Sequence, residues 1–331
     1  MKPQVLVLLA LGISPAWAQI RRIDPAFDKL VPPNARIEKV ADGFQFVEGP
    51  VWFRPGAYLL FSDIPGNVIM QWSATGGKMV FRDHIYAGQY PPGKQVGSNG
   101  LTLDKLGRIV MAEHGNRRVS RIDRNGTIIV LAERYEGKRL NSPNDVVVKS
   151  NQDIYFTDPP FGLLNPGQGL QNVANNPLRE LNFNGVYRLT PTGGLYPVVK
   201  NLALPNGLAF SPDEKRFYVA NSANNTWSVY DVQPDGSMAN GRTFFDASGQ
   251  KGEGLPDGMK VDRAGNVWAT GPGGILVISP QGKLLGVIAF PEVPANCAWG
   301  DADGKTLYVT ARTGLYRIKT NIVGIRPGPK Q

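Results

Sequence analysis

The chain has 331 residues, 42% of them apolar and 19% charged, with 39 glycines and 27 prolines. This composition excludes a disordered or collagen-like chain, and that much Gly and Pro favours a turn-rich β fold over a helical one. The formal net charge is +9, yet no basic run is longer than a pair such as Arg117-Arg118, so the charge reads as solvated surface rather than a phosphate-binding track.

The first eighteen residues differ from the rest. Lys2, the apolar run Val5 to Leu11, Pro15 and the small-residue pattern Ala16-Trp17-Ala18 read as a secretory signal peptide (1–18). The apolar run is too short for a stable membrane-spanning helix, and no later stretch is long enough. The expectation is a mature chain starting near Gln19, periplasmic or secreted, with an N-terminal segment 19–35 and a net charge of about +8.

An internal repeat begins at residue 46. Its copies open VEGPVWFRPGAYLLFSD (Val47 to Asp63), SNGLTLDKLGRIVMAEH (Ser98 to His114), PNDVVVKSNQDIYFTD (Pro143 to Asp158), PNGLAFSPDEKRFYVANS (Pro205 to Ser222), PDGMKVDRAGNVWATG (Pro256 to Gly271) and ANCAWGDADGKTLYVTA (Ala295 to Ala311). Each is an apolar strand, a turn and a second apolar strand. The polar residues near the head of each copy, Glu48, Asn99, Asn144, Asn206, Asp257 and Asn296, are spaced by 51, 45, 62, 51 and 39 residues. Third strands follow, as in RVSRID (118–123) and WSVYDV (227–232), and then fourth strands, as in IIVLAE (128–133) and LGVIAF (285–290). Repeats of about 40–50 residues with four strands describe propeller blades. The fold expected over 36–320 is all-β, a six-bladed β-propeller with four-stranded blades.

The sixth copy has GLYRIK (314–319) as a third strand and then enters a Gly/Pro-rich tail, 321–331. The segments 36–40 and 44–46 supply the missing strand and close the ring, which leaves no open edge between the chain ends. Residues 162–183, rich in Asn, Gly, Pro and Gln, are an irregular insertion in the third blade of the kind that carries function or local disorder.

The first strand of a blade lines the central channel, so the six lead residues converge at one mouth. Each offers an oxygen donor, and none offers sulfur or imidazole. Two acids among hard oxygen donors suit Ca²⁺, with Mg²⁺, Mn²⁺ or Zn²⁺ as alternative divalent ions. Asn and Asp also start turns, but six aligned copies exceed what turn chemistry alone requires. About four protein ligands suffice for such an ion, and the repeat does not say which four. The single Cys297 excludes an internal disulfide and reads as a buried thiol, and two histidines cannot build a three-His zinc site.

The EGP turn (48–50), NDV (144–146), PNGLAFSPD (205–213) and PDGMKVDRAGNVW (256–268) together resemble the gluconolactonase/senescence-marker protein (regucalcin) family, with diisopropylfluorophosphatase a more distant relative. The resemblance runs from about Val47 to Lys319, and EHGNRRVSRID (113–123) looks especially like bacterial gluconolactonases. It implies a six-bladed propeller with one divalent metal held by Glu48, Asn144, Asn206 and Asp257. It also implies a small lactone as substrate and Asp257 as the base that activates water. One position departs: regucalcin-type members carry an Arg two residues before the Asn144 equivalent, where this chain has Ser142.

Asn99, Asn144, Asn296 and His114 are candidates for holding substrate, and His114 also for proton transfer. His84 reads as an outer-rim residue, and Asp63 and Asp158 as pocket-lining or turn-capping groups. No G-x-S-x-G elbow is present, which disfavours a serine hydrolase. The competing readings are a non-enzymatic binding propeller and a metal-dependent phosphotriesterase of the same fold.

Overall fold

Alternating and continuous apolar runs bounded by Gly- and Asp-rich turns become six antiparallel blade sheets, beside one two-stranded hairpin of Arg134–Tyr135 with Lys138–Arg139, in the computed structural model, which describes residues 19–172 and 176–329. The expected leader at 1–18 lies outside the described residues. The innermost strands are Val47–Phe53, Ser98–Leu103, Val146–Val148, Pro205–Phe210, Met259–Val261 and Pro294–Gly300. Each touches the innermost strand of the next blade, and the sixth returns to the first, which makes a closed six-bladed ring.

The apolar pattern follows from this stacking. Side chains alternate across a strand, and both faces of each blade are covered by neighbours, so both sets must be apolar. Leu59 packs between blades six and one while Leu60 packs between one and two. Phe217 and Tyr218 divide in the same way across blade four. The result is six hydrophobic cores, one per blade junction, with Tyr155, Tyr187, Trp227, Trp268 and Trp299 fully or almost fully buried in or beside them. Burial of each such ring stabilises the fold by roughly 1.5–3 kcal/mol.

The ring closes as expected from the N-terminal side. Ile37–Ala41 pairs antiparallel with Gly314–Lys319 as the outermost strand of blade six. Phe44–Phe46 does not join that strand: Phe44 is buried between blades six and one, Asp63 accepts the Gln45 and Phe46 N–H groups, and Phe46 reaches the cavity lining. A feature absent from the sequence reading is a fifth strand on blade five, Ile20–Arg22, paired with Leu284–Ile288. The turn after it drives Phe27 into the core between blades five and six, over Gly286, where a side chain would meet the Phe27 ring at 2.5 Å.

The Gly/Pro-rich tail crosses the opposite end of the channel. The Ile325 N–H donates to the Val261 carbonyl at 3.0 Å and Arg54 to the Pro327 carbonyl at 2.9 Å. Gly324 lies flat on Trp299, where an added Cβ would fall 1.7 Å from the indole. The channel is therefore plugged at that end and open at the other. No helix among the described residues is long and apolar enough to cross a membrane.

Candidate active site

The six lead residues sit where the sequence places them because a repeated device holds the backbone just upstream. Asp158, at the end of a second strand, accepts the N–H groups of Asn141 and Ser142, both at 2.8 Å. Asp63 does the same for the approach to Glu48, and Asn221 for Leu204 on the approach to Asn206. Asp63 and Asp158 thus position the strand entry and do not line the cavity. Burial pushes the Asp158 carboxyl up to about 7 despite those two N–H donors.

Hydroxyls in or just after the second strands then join one blade to the next. Ser62 donates to the Asn99 carbonyl, Ser222 to the Pro256 carbonyl and Thr270 to the Ala295 carbonyl. Behind four of the lead residues stands a glycine whose missing side chain lets adjacent blades meet. A Cβ on Gly49 would lie 1.9 Å from the Asn99 carbonyl oxygen, and one on Gly207 would lie 2.2 Å from that of Asp257. These contacts draw the lead residues into a tight ring.

A cavity of about 440 Å³ opens over that ring. Glu48, Asn99, Asn144, Asn206 and Asp257 form its floor, with Phe46, Gln95, Ser222 and Leu255 around it and the segment from Phe161 to Leu170 as one wall. The structure therefore brings together all four residues implied as ligands, and Asn99 with them.

Glu48 is buried, and its Oε2 accepts the Gly49 N–H at 2.5 Å and Asn296 Nδ2 at 2.9 Å. Burial first, and then the Asp145 carboxylate, push the Glu48 carboxyl up to about 7. Burial and the carboxylates of Glu48 and Asp145 push Asp257 well above the usual carboxylate range, against a hydrogen bond from Asn206. Asn206 Nδ2 donates to Ser222 at 3.1 Å and Asn99 Nδ2 pairs with His114 Nε2 at 3.2 Å. The amide oxygens of both asparagines are buried without a hydrogen-bond partner. The unpartnered Asn206 oxygen beside two buried acids is a hard-oxygen donor set that a divalent cation would satisfy, and the unpartnered Asn99 oxygen is open to the cation or to a ligand beside it. No cluster of three or more His, Cys, Asp or Glu arranged for a metal occurs among the described residues, so a cation here rests on amide oxygens as much as on acids.

Two expected substrate contacts lie elsewhere. Asn296 is 1% exposed and does not line the cavity. Its amide is committed behind Glu48, with Nδ2 donating to Glu48 and Oδ1 accepting from Lys260 Nζ at 3.2 Å and from the Cys297 N–H at 2.9 Å. His114 is fully buried behind Asn99, off the cavity lining, and burial pushes its imidazole down to about 3, so it stays neutral. The physical reason for both corrections is depth. Asn296 is held behind Glu48 by its hydrogen bond to that carboxyl, and His114 is covered by Asn99 on one side and by Gly162 of the cavity wall on another. His84 is at the outer rim, its side chain 83% exposed, beside Asp83.

The sequence reading missed Asp145 and Lys260. Asp145 is buried, with Oδ2 3.5 Å from Asn296 Nδ2, and it stands where four other copies carry glycine (Gly49, Gly100, Gly207, Gly258). That break in the repeat is the signal that would have found it. Lys260 follows Asp257 by three positions and enters the channel from the tail side, with no motif to mark it.

A model of the SMP-30/gluconolactonase/LRE-like region matches residues 46–313. The gluconolactonase of Zymomonas mobilis is 37% identical over 328 residues, covering 92% of this chain and 87% of its own. The solved structure of XC5397 from Xanthomonas campestris, described as a gluconolactonase, is 34% identical, with a TM-score of 0.79, and the match covers 91% of this chain and 94% of that one. A calcium-binding protein, regucalcin, from Agrobacterium tumefaciens shares the fold alone, at 16% identity and a TM-score of 0.69, over 88% of this chain and 96% of its own. With a family model spanning all six blades and a relative at 37% identity over nearly the whole chain, this protein belongs to the SMP-30/gluconolactonase/LRE-like family.

Proposed function

We propose that this protein is a divalent-metal-dependent hydrolase of small lactones of the gluconolactone kind, with Ca²⁺ the ion that suits its donors best. The observation that carries the reading is the cavity floor, where Glu48 and Asp257 meet the unpartnered amide oxygens of Asn99 and Asn206. Formal charge supports it: when ionised, Glu48, Asp145 and Asp257 carry three negative charges, with the Lys260 ammonium near Glu48 as a counter-charge. A divalent cation would match the remaining two and let the raised Glu48 and Asp257 carboxyls ionise. A binding scaffold has no reason to bury such a set uncompensated.

Glu48, Asn144, Asn206 and Asp257 would hold the ion. Bound there, it supplies Lewis acidity toward the carbonyl oxygen of a lactone. Asp257 takes a proton from water as that water adds to the carbonyl carbon, and returns it to the ring oxygen as the ring C–O bond breaks, leaving a hydroxy acid. Asn99 and Asn144 offer amides to orient the ring. Glu48 is kept in place by the Gly49 N–H and by Asn296.

Export to the periplasm or beyond belongs to the same proposal. It is supported by the leader pattern at 1–18 and by Gln19, whose carbonyl accepts the Ala289 N–H at 2.9 Å, so cleavage after Ala18 leaves the edge strand of blade five whole.

The test is metal content of the purified protein together with hydrolysis of δ-gluconolactone, an aromatic lactone and a phosphotriester, each before and after chelation. Lactone turnover lost on chelation and restored by Ca²⁺ is the expected result. Turnover indifferent to chelation, or confined to the phosphotriester, overturns the reading.

A further inference from the structure

The wall of the cavity differs in chemistry from its floor. It comes from the insertion in blade three, which forms two short 3-10 turns, Phe161–Leu163 and Leu170–Asn172. Phe161, Leu164, Pro166 and Leu170 face the cavity, opposite Phe46 and Leu255. Leu170 and Leu255 are 38% and 39% exposed, large apolar side chains left uncovered at the mouth of a polar site. No lysine or arginine lines the cavity among the described residues.

The wall is a built feature. The Gly162 N–H donates to Ser142 Oγ at 2.8 Å, and a Cβ on Gly162 would fall 2.4 Å from Ser142 Oγ and 2.6 Å from His114 Cβ. The segment is therefore pressed directly onto Ser142 and His114, the latter in contact with Asn99 of the floor. Asn176 Nδ2 donates to the Leu163 carbonyl at 3.1 Å, and Lys94 Nζ reaches across from the preceding blade connection to Asn165 Oδ1 at 2.9 Å. These anchors fix apolar side chains over the donor ring.

We infer that the Phe161–Leu170 segment is the specificity-determining wall of the site, admitting lactones with uncharged substituents and rejecting anionic ones. The inference rests on the lactone hydrolase reading. A hydroxylated ring has an apolar C–H face, which Phe161 and Leu164 cover, while its hydroxyls meet the amides of Gln95, Asn99 and Asn144. A carboxylate or phosphate substituent would lose its water against the wall, where no cationic side chain lines the cavity and the one ammonium bound to the wall, that of Lys94, is tied to Asn165 Oδ1. A divalent ion on the floor does not serve, because the two acids there already match its charge.

The matched probes are D-glucono-1,4-lactone and D-glucaro-1,4-lactone, which differ at one terminal carbon, hydroxymethyl against carboxylate. The expected kcat/KM for the neutral lactone exceeds that for the anion by at least tenfold. Leu170→Arg, at a partly exposed position that tolerates a long side chain, is expected to narrow that ratio by tenfold or more through a lower KM for the anion. Leu164→Ala is expected to raise KM for the neutral lactone several-fold with a smaller change in kcat. Equal use of the two lactones by the unaltered protein, or a ratio unmoved by Leu170→Arg, overturns the inference and leaves lactone hydrolysis standing. Failure to hydrolyse any lactone overturns both.

Discussion

Replacement of Asp257 by Asn keeps the shape of the floor and removes one of its two acids. Without a cation the variant should be more stable than the parent, because burial and the carboxylates of Glu48 and Asp145 already hold Asp257 well above its usual range. With Ca²⁺ the order of effects reverses. A ligand at a hundred times its Kd stabilises the folded state by about 2.7 kcal/mol. For a unit of about 310 residues, an unfolding entropy of about 2.1 cal/mol/K per residue turns that into a rise of about 4 °C in Tm. Loss of one carboxylate that weakens binding by tenfold to a hundredfold leaves a rise of about 0.6–2 °C at the same Ca²⁺ concentration. Turnover should drop by about 10²–10⁴-fold if Asp257 is the base. Thermal melts with and without Ca²⁺, paired with lactone kinetics at saturating Ca²⁺, separate the two roles. Full turnover with the ion still bound refutes the base assignment, and an undiminished Ca²⁺ shift refutes Asp257 as a ligand.

Acid should weaken cation binding. The Glu48 carboxyl is raised to about 7, so protons compete with the ion as pH falls through that value, and Ca²⁺ affinity measured by calorimetry should drop steadily from pH 8 to pH 5.5. Gly207→Ala places a methyl group 2.2 Å from the Asp257 carbonyl oxygen, forcing blades four and five apart. Denaturant unfolding should show a loss of about 1–3 kcal/mol or more, with catalysis impaired in the fraction that folds. Phe27→Ala empties a fully buried site between blades five and six and should cost about 3–5 kcal/mol with kinetics intact. Mass spectrometry of the exported protein should find Gln19 at its N-terminus, and an uncleaved chain would refute that processing site.

Most of the architecture was legible in the sequence because propeller blades are local. In every copy but the third, where the insertion intervenes, the second strand is followed within a few residues by the third, the turns announce themselves through Gly and Asp, and alternate residues face alternate neighbours, so six repeats specify six blades. The lead positions were legible for the same reason: Glu48, Asn99, Asn144, Asn206 and Asp257 occupy one slot in the repeat, and a closed ring must bring one slot to one place. Even Asp145 left a trace, as an acid in a slot that otherwise favours glycine.

What the repeat could not decide was depth and direction. Asn296 shares the slot but lies behind Glu48, held there by its hydrogen bond to that carboxyl. His114 follows a strand that looks equivalent to the others and is buried beneath Asn99, where it is held neutral. The fifth strand Ile20–Arg22 and the apolar wall at 161–170 depend on residues outside their own segments, Leu284–Ile288 for one and Ser142 and Lys94 for the other. A repeat read in one dimension determines which residues share an environment. Only packing in three dimensions determines which of them that environment leaves exposed to a ligand, since this depends on distances between groups that no local pattern encodes.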